Sequence, residues 1–146
     1  MTRKLITLLV LTFATTTAYA EGRKETAGTM TGKWNNTATH QNFSINKHGI
    51  VGRSAAVCGE MYQQKFSLEK GDKWLAEVAR LAKNKDIPQS QFNAIAKEID
   101  VARDYSHLQS SCGETGDRFI QVTPDVLLSM SCAEGSCLVV RHVRTR

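Results

Sequence analysis

The sequence predicts an α+β domain. A helical hairpin of two to three helices is followed by a C-terminal three-stranded antiparallel meander, and two disulfides hold the unit together. Three observations carry that expectation. Apolar residues recur at spacings of three and four from Arg53 to about Ser110, as in helices with one buried face. From Arg118 onward the apolar runs are short and broken by Pro124-Asp125 and by Ala133-Glu134-Gly135-Ser136, which is how strands and their turns read. The cysteines Cys58, Cys112, Cys132 and Cys137 form an even set. Helices that precede strands, rather than alternating with them, give α+β and not a parallel sheet.

The chain begins with a basic Arg3-Lys4, continues through the apolar run Leu5–Ala14 and closes on the small residues Ala18-Tyr19-Ala20. These are the three parts of a secretory signal peptide, residues 1–20, cleaved after Ala20. Ten apolar residues fall well short of the roughly 20 that a spanning helix needs, so no membrane span is expected. Cleavage leaves residues 21–146, a length for one domain that can form its own core. With 41% hydrophobic and 23% charged residues, a disordered or low-complexity chain is excluded. Losing Arg3 and Lys4 lowers the formal charge from +5 to +3. The remaining basic residues are mostly interleaved with acids, so a nucleic-acid partner is not expected.

Residues 21–33 are polar, rich in Gly and Thr, and without a period; they read as a mobile N-terminal arm before a single domain over 34–146. Trp34 to Gly52 holds Trp34, Phe43, Ile45, Ile50 and Val51 among Asn, Thr and His. The alternation Phe43-Ser44-Ile45 suits one short strand, and a packed loop fits the segment equally well.

Cys58, Met61, Tyr62 and Phe66 place a first helix over Arg53 to Phe66. Trp74, Leu75, Val78, Leu81 and Ala82 place a second over Asp72 to Lys85, with Asp72 as its cap. Asn84 to Pro88 breaks the chain. Phe92, Ile95, Ile99, Ala102, Tyr105 and Leu108 extend a third helix from a Ser90 cap to about Ser110, and Cys112-Gly113 reads as its end. Three strands follow over Arg118–Val122, Val126–Cys132 and Cys137–Val143. If Cys132 faces Cys137 across the last turn, Met130 faces Val139, Leu128 faces Arg141 and Val126 faces Val143. That face is apolar except for Arg141 and looks toward the core. The other face carries Ser129, Ser131 and His142 with Leu127, Leu138 and Val140.

An exported chain meets an oxidising compartment, where two disulfides are the default for four cysteines. The tight turn between Cys132 and Cys137 favours joining those two, which leaves Cys58 for Cys112.

Motifs for chemistry are absent from the sequence. There is no HExxH and no CxxC; His40 and His48 stand at no ligand spacing, so no metal and no cofactor are expected. No GxSxG elbow and no phosphate loop occurs. Oxidised cysteines are not nucleophiles, so no catalytic residue is assigned. The residues offered as partner contacts are Trp34, Glu134 and the C-terminal cluster Arg141, His142, Arg144 and Arg146. The functional expectation is an exported, soluble protein of the cell envelope, periplasmic or secreted, that binds another periplasmic or secreted protein. It would act as an inhibitor or immunity protein, or as an accessory subunit of a secretion or conjugation machine. The alternative is a small secreted hydrolase or wall-active enzyme that gathers His40, His48 or His107 with Glu114 or Asp117.

Overall fold

Residues 29–146 are described by a computed structural model of the chain. The expected signal peptide, and residues 21–28 of the expected arm, lie outside them. Eight strands form one antiparallel sheet: β1 (Gly32–Asn36), β2 (Asn42–Asn46), β3 (Gly49–Ile50), β4 (Gln63–Lys70), β5 (Asp104–Cys112), β6 (Thr115–Thr123), β7 (Val126–Ala133) and β8 (Ser136–Arg144). Their spatial order is β3-β2-β1-β8-β7-β6-β5-β4. The edge strands β3 and β4 come into contact, so the sheet curls nearly into a barrel. Among the described residues that follow β1, three short helices accompany the sheet: α1 (Ala55–Cys58), α2 (Gly71–Lys83) and α3 (Gln89–Glu98).

The helical hairpin with a three-stranded meander is therefore replaced by a sheet-dominated fold. Two of the expected helices are cut short and give way to strands. The first stops at Gly59, whose φ of 76° lies in the left-handed region; a 3-10 turn over Gly59–Met61 follows, and then β4. Phe66 and Leu68 alternate with Lys65, Ser67 and Glu69 along β4, the period of a strand rather than a helix. The third expected helix ends at Glu98, starts at Gln89 behind Pro88, and takes no cap from Ser90. Asp100 accepts the Ala102 amide on its side chain at 2.9 Å, turning the chain into β5. Tyr105 and Leu108, expected on one helical face, then join different core clusters. Only α2 lies where the apolar stripe places it. Lys70 is its N-cap, and Asp72 accepts the neighbouring Lys73 amide instead of capping the helix.

The Trp34 to Gly52 segment becomes β1, β2 and β3. Asn36 closes its first turn by accepting the Ala38 and Thr39 amides at 2.9 and 3.1 Å. Strand β1 starts at Gly32, so the sheet includes the last residues of the expected arm. The three C-terminal strands lie where the pattern places them, as β6, β7 and β8. Their last pairing has Cys132 opposite Cys137, Met130 opposite Val139, Leu128 opposite Arg141 and Val126 opposite Val143. Both disulfides are present, Cys58–Cys112 and Cys132–Cys137.

The sheet is buried on both faces. On its convex side α2 and α3 lay Trp74, Val78, Leu81 and Ile95 over Tyr105, Ile120, Leu128, Met130 and Val139. On its concave side Trp34, Ile45, Leu108, Phe119 and Leu127 pack together with Met30. This inner cluster fills one end of the curl; the other end is open.

Candidate functional site: a polar-floored cup on the concave face

The open end of the curled sheet is a cup of about 500 Å³, within the range of small-ligand sites. An eight-stranded barrel has about the width needed to hold one small ligand. The walls are apolar and aromatic, from Phe43 on β2, Ile50 on β3, Phe119 on β6 and Leu138 and Val140 on β8. Every second residue of a strand faces the same side, and that alternation sets Asp117 beside Phe119, and Ser129 beside Ser131, on the inner face.

Arg53 enters from the loop after β3. The next residue, Ser54, caps α1 by accepting the Val57 amide at 3.3 Å. Cys58 at the end of α1 is joined by disulfide to Cys112 at the end of β5, and its carbonyl accepts the Gly113 amide at 3.1 Å. With the loop held against β5 in this way, the Arg53 guanidinium reaches Ser110 Oγ at 2.7 Å and Asp117 Oδ2 at 2.6 Å. The buried Asp117 is thereby neutralised. An unpaired carboxylate at such a place would carry a large desolvation cost.

His142 occupies the wall between β1 and β7. Its Nε2 lies 2.7 Å from Ser129 Oγ, and its ring stands edge-on to Phe43 with centroids 5.1 Å apart. Phe119 is 5.7 Å away on another side. Burial lowers its pKa from 6.5 to about 4, against an opposing pull from the Asp117 carboxylate. The ring is therefore neutral near pH 7. Its Nδ1 is buried and has no hydrogen-bond partner, an unusual state for a buried polar atom. With Arg53 and Asp117 paired and His142 neutral, the cup has no net charge, and its other lining residues are uncharged.

The residues expected to contact a partner do not form one patch. Trp34 is fully buried; its Nε1 donates to the Met30 carbonyl at 2.9 Å, and the Arg144 guanidinium lies 4.2 Å from its ring centre. Arg144 also donates to the carbonyls of Thr29, Thr31 and Pro124. Arg141 binds Glu98 at 2.6 Å and so ties β8 to α3. His142 is 4% exposed and belongs to the cup wall. Glu134 and Arg146 are exposed, but they lie beyond opposite ends of β8. Nor do the acids and histidines of the hydrolase reading assemble. His40 and His48 are on exposed turns. His107 lies on the convex face, where it bonds Ser67 Oγ at 2.9 Å and accepts from Arg118 at 3.3 Å, on the far side of the sheet from Asp117. Among the described residues no group of three or more His, Cys, Asp or Glu is placed to hold a metal.

Arg53, Phe43, Phe119 and Ser129 carry the site without having been singled out as functional. One signal for them was present. Small polar residues at alternate positions, Ser129 and Ser131, share a face with His142 in otherwise apolar strands, which marks a polar lining inside a core.

No protein-family model, characterised protein or solved structure matches the chain. Fold and site therefore define it only by architecture, as a small disulfide-stapled antiparallel sheet curled around an uncharged, polar-floored cup. Two disulfides fit an oxidising extracellular or periplasmic environment. Among the described residues no helix is long and apolar enough to cross a membrane.

Proposed function

We propose that this is an exported binding protein of the cell envelope, directed there by a signal peptide cleaved after Ala20, which receives a protruding segment of another protein in its cup. The observation that carries the reading is an apolar fringe held on stapled elements. Leu138 is 52% exposed on the cup wall and directly follows Cys137. Val57 and Met61, 72% and 69% exposed, flank Cys58 on the turn that runs on from the cup-lining Arg53. Exposed apolar side chains on rigid backbone lose little entropy on binding, and such residues form the energetic centres of protein interfaces. An inhibitor or immunity protein and an accessory subunit of a secretion or conjugation machine both work by this kind of capture. The test is site-specific photo-cross-linking in the envelope, with the cross-linker at Leu138 or at the exposed Lys73 on α2. The expected result is one partner captured from position 138 and not from 73. Leu138→Asp and Met61→Asp should weaken the purified complex at least tenfold without lowering Tm. Equal capture from both positions, or unchanged affinity in both variants, would refute the reading.

One observation favours a second reading as a hydrolase. Ser129 Oγ and His142 Nε2 are at the spacing of a nucleophile and its base. Against it, Asp117 is bound to Arg53, and Ser129 is only 2% exposed. Covalent labelling of Ser129 by a fluorophosphonate, abolished in Ser129→Ala, would favour the enzyme.

A further inference from the structure

Resting on the reading that the cup receives a partner segment, we infer that this segment binds as an added β-strand on the free edge of β8, between two hollows on opposite faces of the sheet. Strand β8 pairs with β7 over Ser136–Val143, but β1 covers only His142–Arg144. The Thr37 amide adds one bond to the Arg141 carbonyl at 3.0 Å, and the chain then turns away into β2. Among the described residues no strand lies on the outer side of Cys137–Val140. The Val139 carbonyl instead accepts the side-chain amide of Gln91, from α3, at 2.8 Å. In an antiparallel strand the N–H and C=O of one residue point to the same edge. The outward carbonyls of Val139 and Arg141 therefore place their amides outward too, where no group of the described residues bonds them. Such an edge pairs with another extended backbone.

The hollows supply the side-chain sites. On the concave face the cup meets this edge at Leu138 and Val140 and is bounded as well by Ala38 and Thr39 of the β1–β2 turn. On the convex face a hollow of about 190 Å³ lies between α3 and β8, bounded by Ala94, Ile95 and Glu98 and by Val139, Val140 and Arg141. Val140 borders both. Successive side chains of a strand point to opposite faces, so neighbouring residues of an added strand enter the two hollows in turn. The charges beside them are already matched, Arg53 with Asp117 and Arg141 with Glu98. An incoming ion would meet no free counter-charge, so the segment is one of uncharged side chains.

The experiment uses disulfide-intact, ¹⁵N-labelled protein titrated with an acetylated, amidated hexapeptide of alternating valine and threonine. Further versions carry N-methyl groups on the valine amides, on the threonine amides, or on both, and so block one edge of the extended peptide, the other edge, or both edges. The expected result is saturable shifts centred on the Leu138 to Arg141 amides, with slowed exchange at Val139 and Arg141. At least one single-edge version should bind within threefold of the parent, and the version blocked on both edges at least tenfold more weakly. Aspartate in place of the valines should also cost at least tenfold. Arg141→Pro removes one outward N–H and should weaken binding at least fivefold, whereas Arg141→Ala keeps that group and should stay within twofold; the peptide comparison stands alone if the proline variant fails to fold. No binding of the parent peptide, equal binding after both edges are blocked, or equal affinity in the two Arg141 variants would overturn strand addition. Equal binding of the aspartate peptide would overturn an uncharged segment. Self-association of the protein that the peptide competes away would give the edge to a second copy of this chain and overturn a separate partner. Failure of the partner-capture reading shows separately, as loss of position-dependent cross-linking with the peptide's edge dependence intact.

Discussion

His107 and His142 sit on opposite faces of one sheet and are both buried. Each is held neutral, with a pKa lowered to about 4. Burial is the main cause for both, reinforced at His107 by the Arg118 and Lys65 charges. Arg118 donates to His107 Nε2, so the His107 proton resides on Nδ1 and is given to Ser67. The consequence for stability has a definite sign. Below pH 6.5 the unfolded chain takes up protons at these two positions, while the folded chain does so only near pH 4. Stability is therefore highest above pH 6.5 and falls through the window from 6.5 to 4, by roughly 2–3 kcal/mol per histidine at pH 4.5. Urea unfolding at pH 7 and pH 4.5 measures the loss, and His107→Gln should reduce it by about that amount relative to wild type. An unchanged pH difference in the variant would show that His107 titrates normally in the folded protein.

At the scale of elements, turns and close approaches determine where strands begin and end. The loop between β7 and β8 has two residues, and both lie at positive φ, Glu134 at 51° and Gly135 at 79°. That is the geometry of a type I′ turn, in which Asn-Gly is the favoured pair. Glu134→Asn should therefore stabilise the protein by about 0.5–1 kcal/mol, read as a higher urea midpoint with unchanged slope; a lower midpoint would contradict the turn assignment. At the start of α2 the chain passes so close to Asp100 that a Cβ on Gly71 would collide with that residue's carbonyl oxygen. The obstruction is backbone and cannot rotate away. Gly71→Ala should cost about 2–3 kcal/mol, and thermal unfolding of the variant tests it. Neither constraint is written into hydrophobic periodicity, which places α2 correctly from Trp74, Val78 and Leu81 but says nothing of what lies against its first residue.

For the whole molecule, closure of the curl depends on ties between segments distant in sequence. Cys58–Cys112 spans 54 residues and anchors the α1 loop, with Arg53, to β5; Cys132–Cys137 spans 5 residues within a hairpin already paired. In the chain-entropy account the longer closure is worth about 4 kcal/mol and the shorter about 2. Replacing Cys58 and Cys112 by Ser should thus lower stability roughly twice as much as replacing Cys132 and Cys137. Equilibrium unfolding of the two double variants gives the comparison, and equal losses would show that loop length does not govern the effect. The first pair also positions Arg53, so its loss should loosen the cup, whereas loss of the second leaves the Arg53–Asp117 contact intact.

Local and covalent features could be read from the residues alone: the α2 stripe, the three strands β6 to β8 with the register of the last pair, and the pairing of cysteines that the tight Cys132–Cys137 turn makes natural. Each of these depends on residues near one another in the chain, where spacing and turn chemistry act directly. That β1, β2, β3, β4 and β5 join β6 to β8 in one sheet is a matter of long-range packing. Strand β5 is buried on both faces and loses the apolar–polar alternation that announces a strand, and its buried polar residues His107 and Ser110 interrupt the apolar pattern further; in β1, β2 and β4 the alternation is short and set among polar residues. Tyr105 and Leu108 consequently match a helical spacing by coincidence, although they pack on opposite faces. The cup was equally hidden, because Arg53, Asp117, Ser129 and His142 come from four separate segments. The Ser129–Ser131–His142 face was visible in the strand register. That this face lines a cavity follows from the curl of the sheet, which long-range pairing and packing impose.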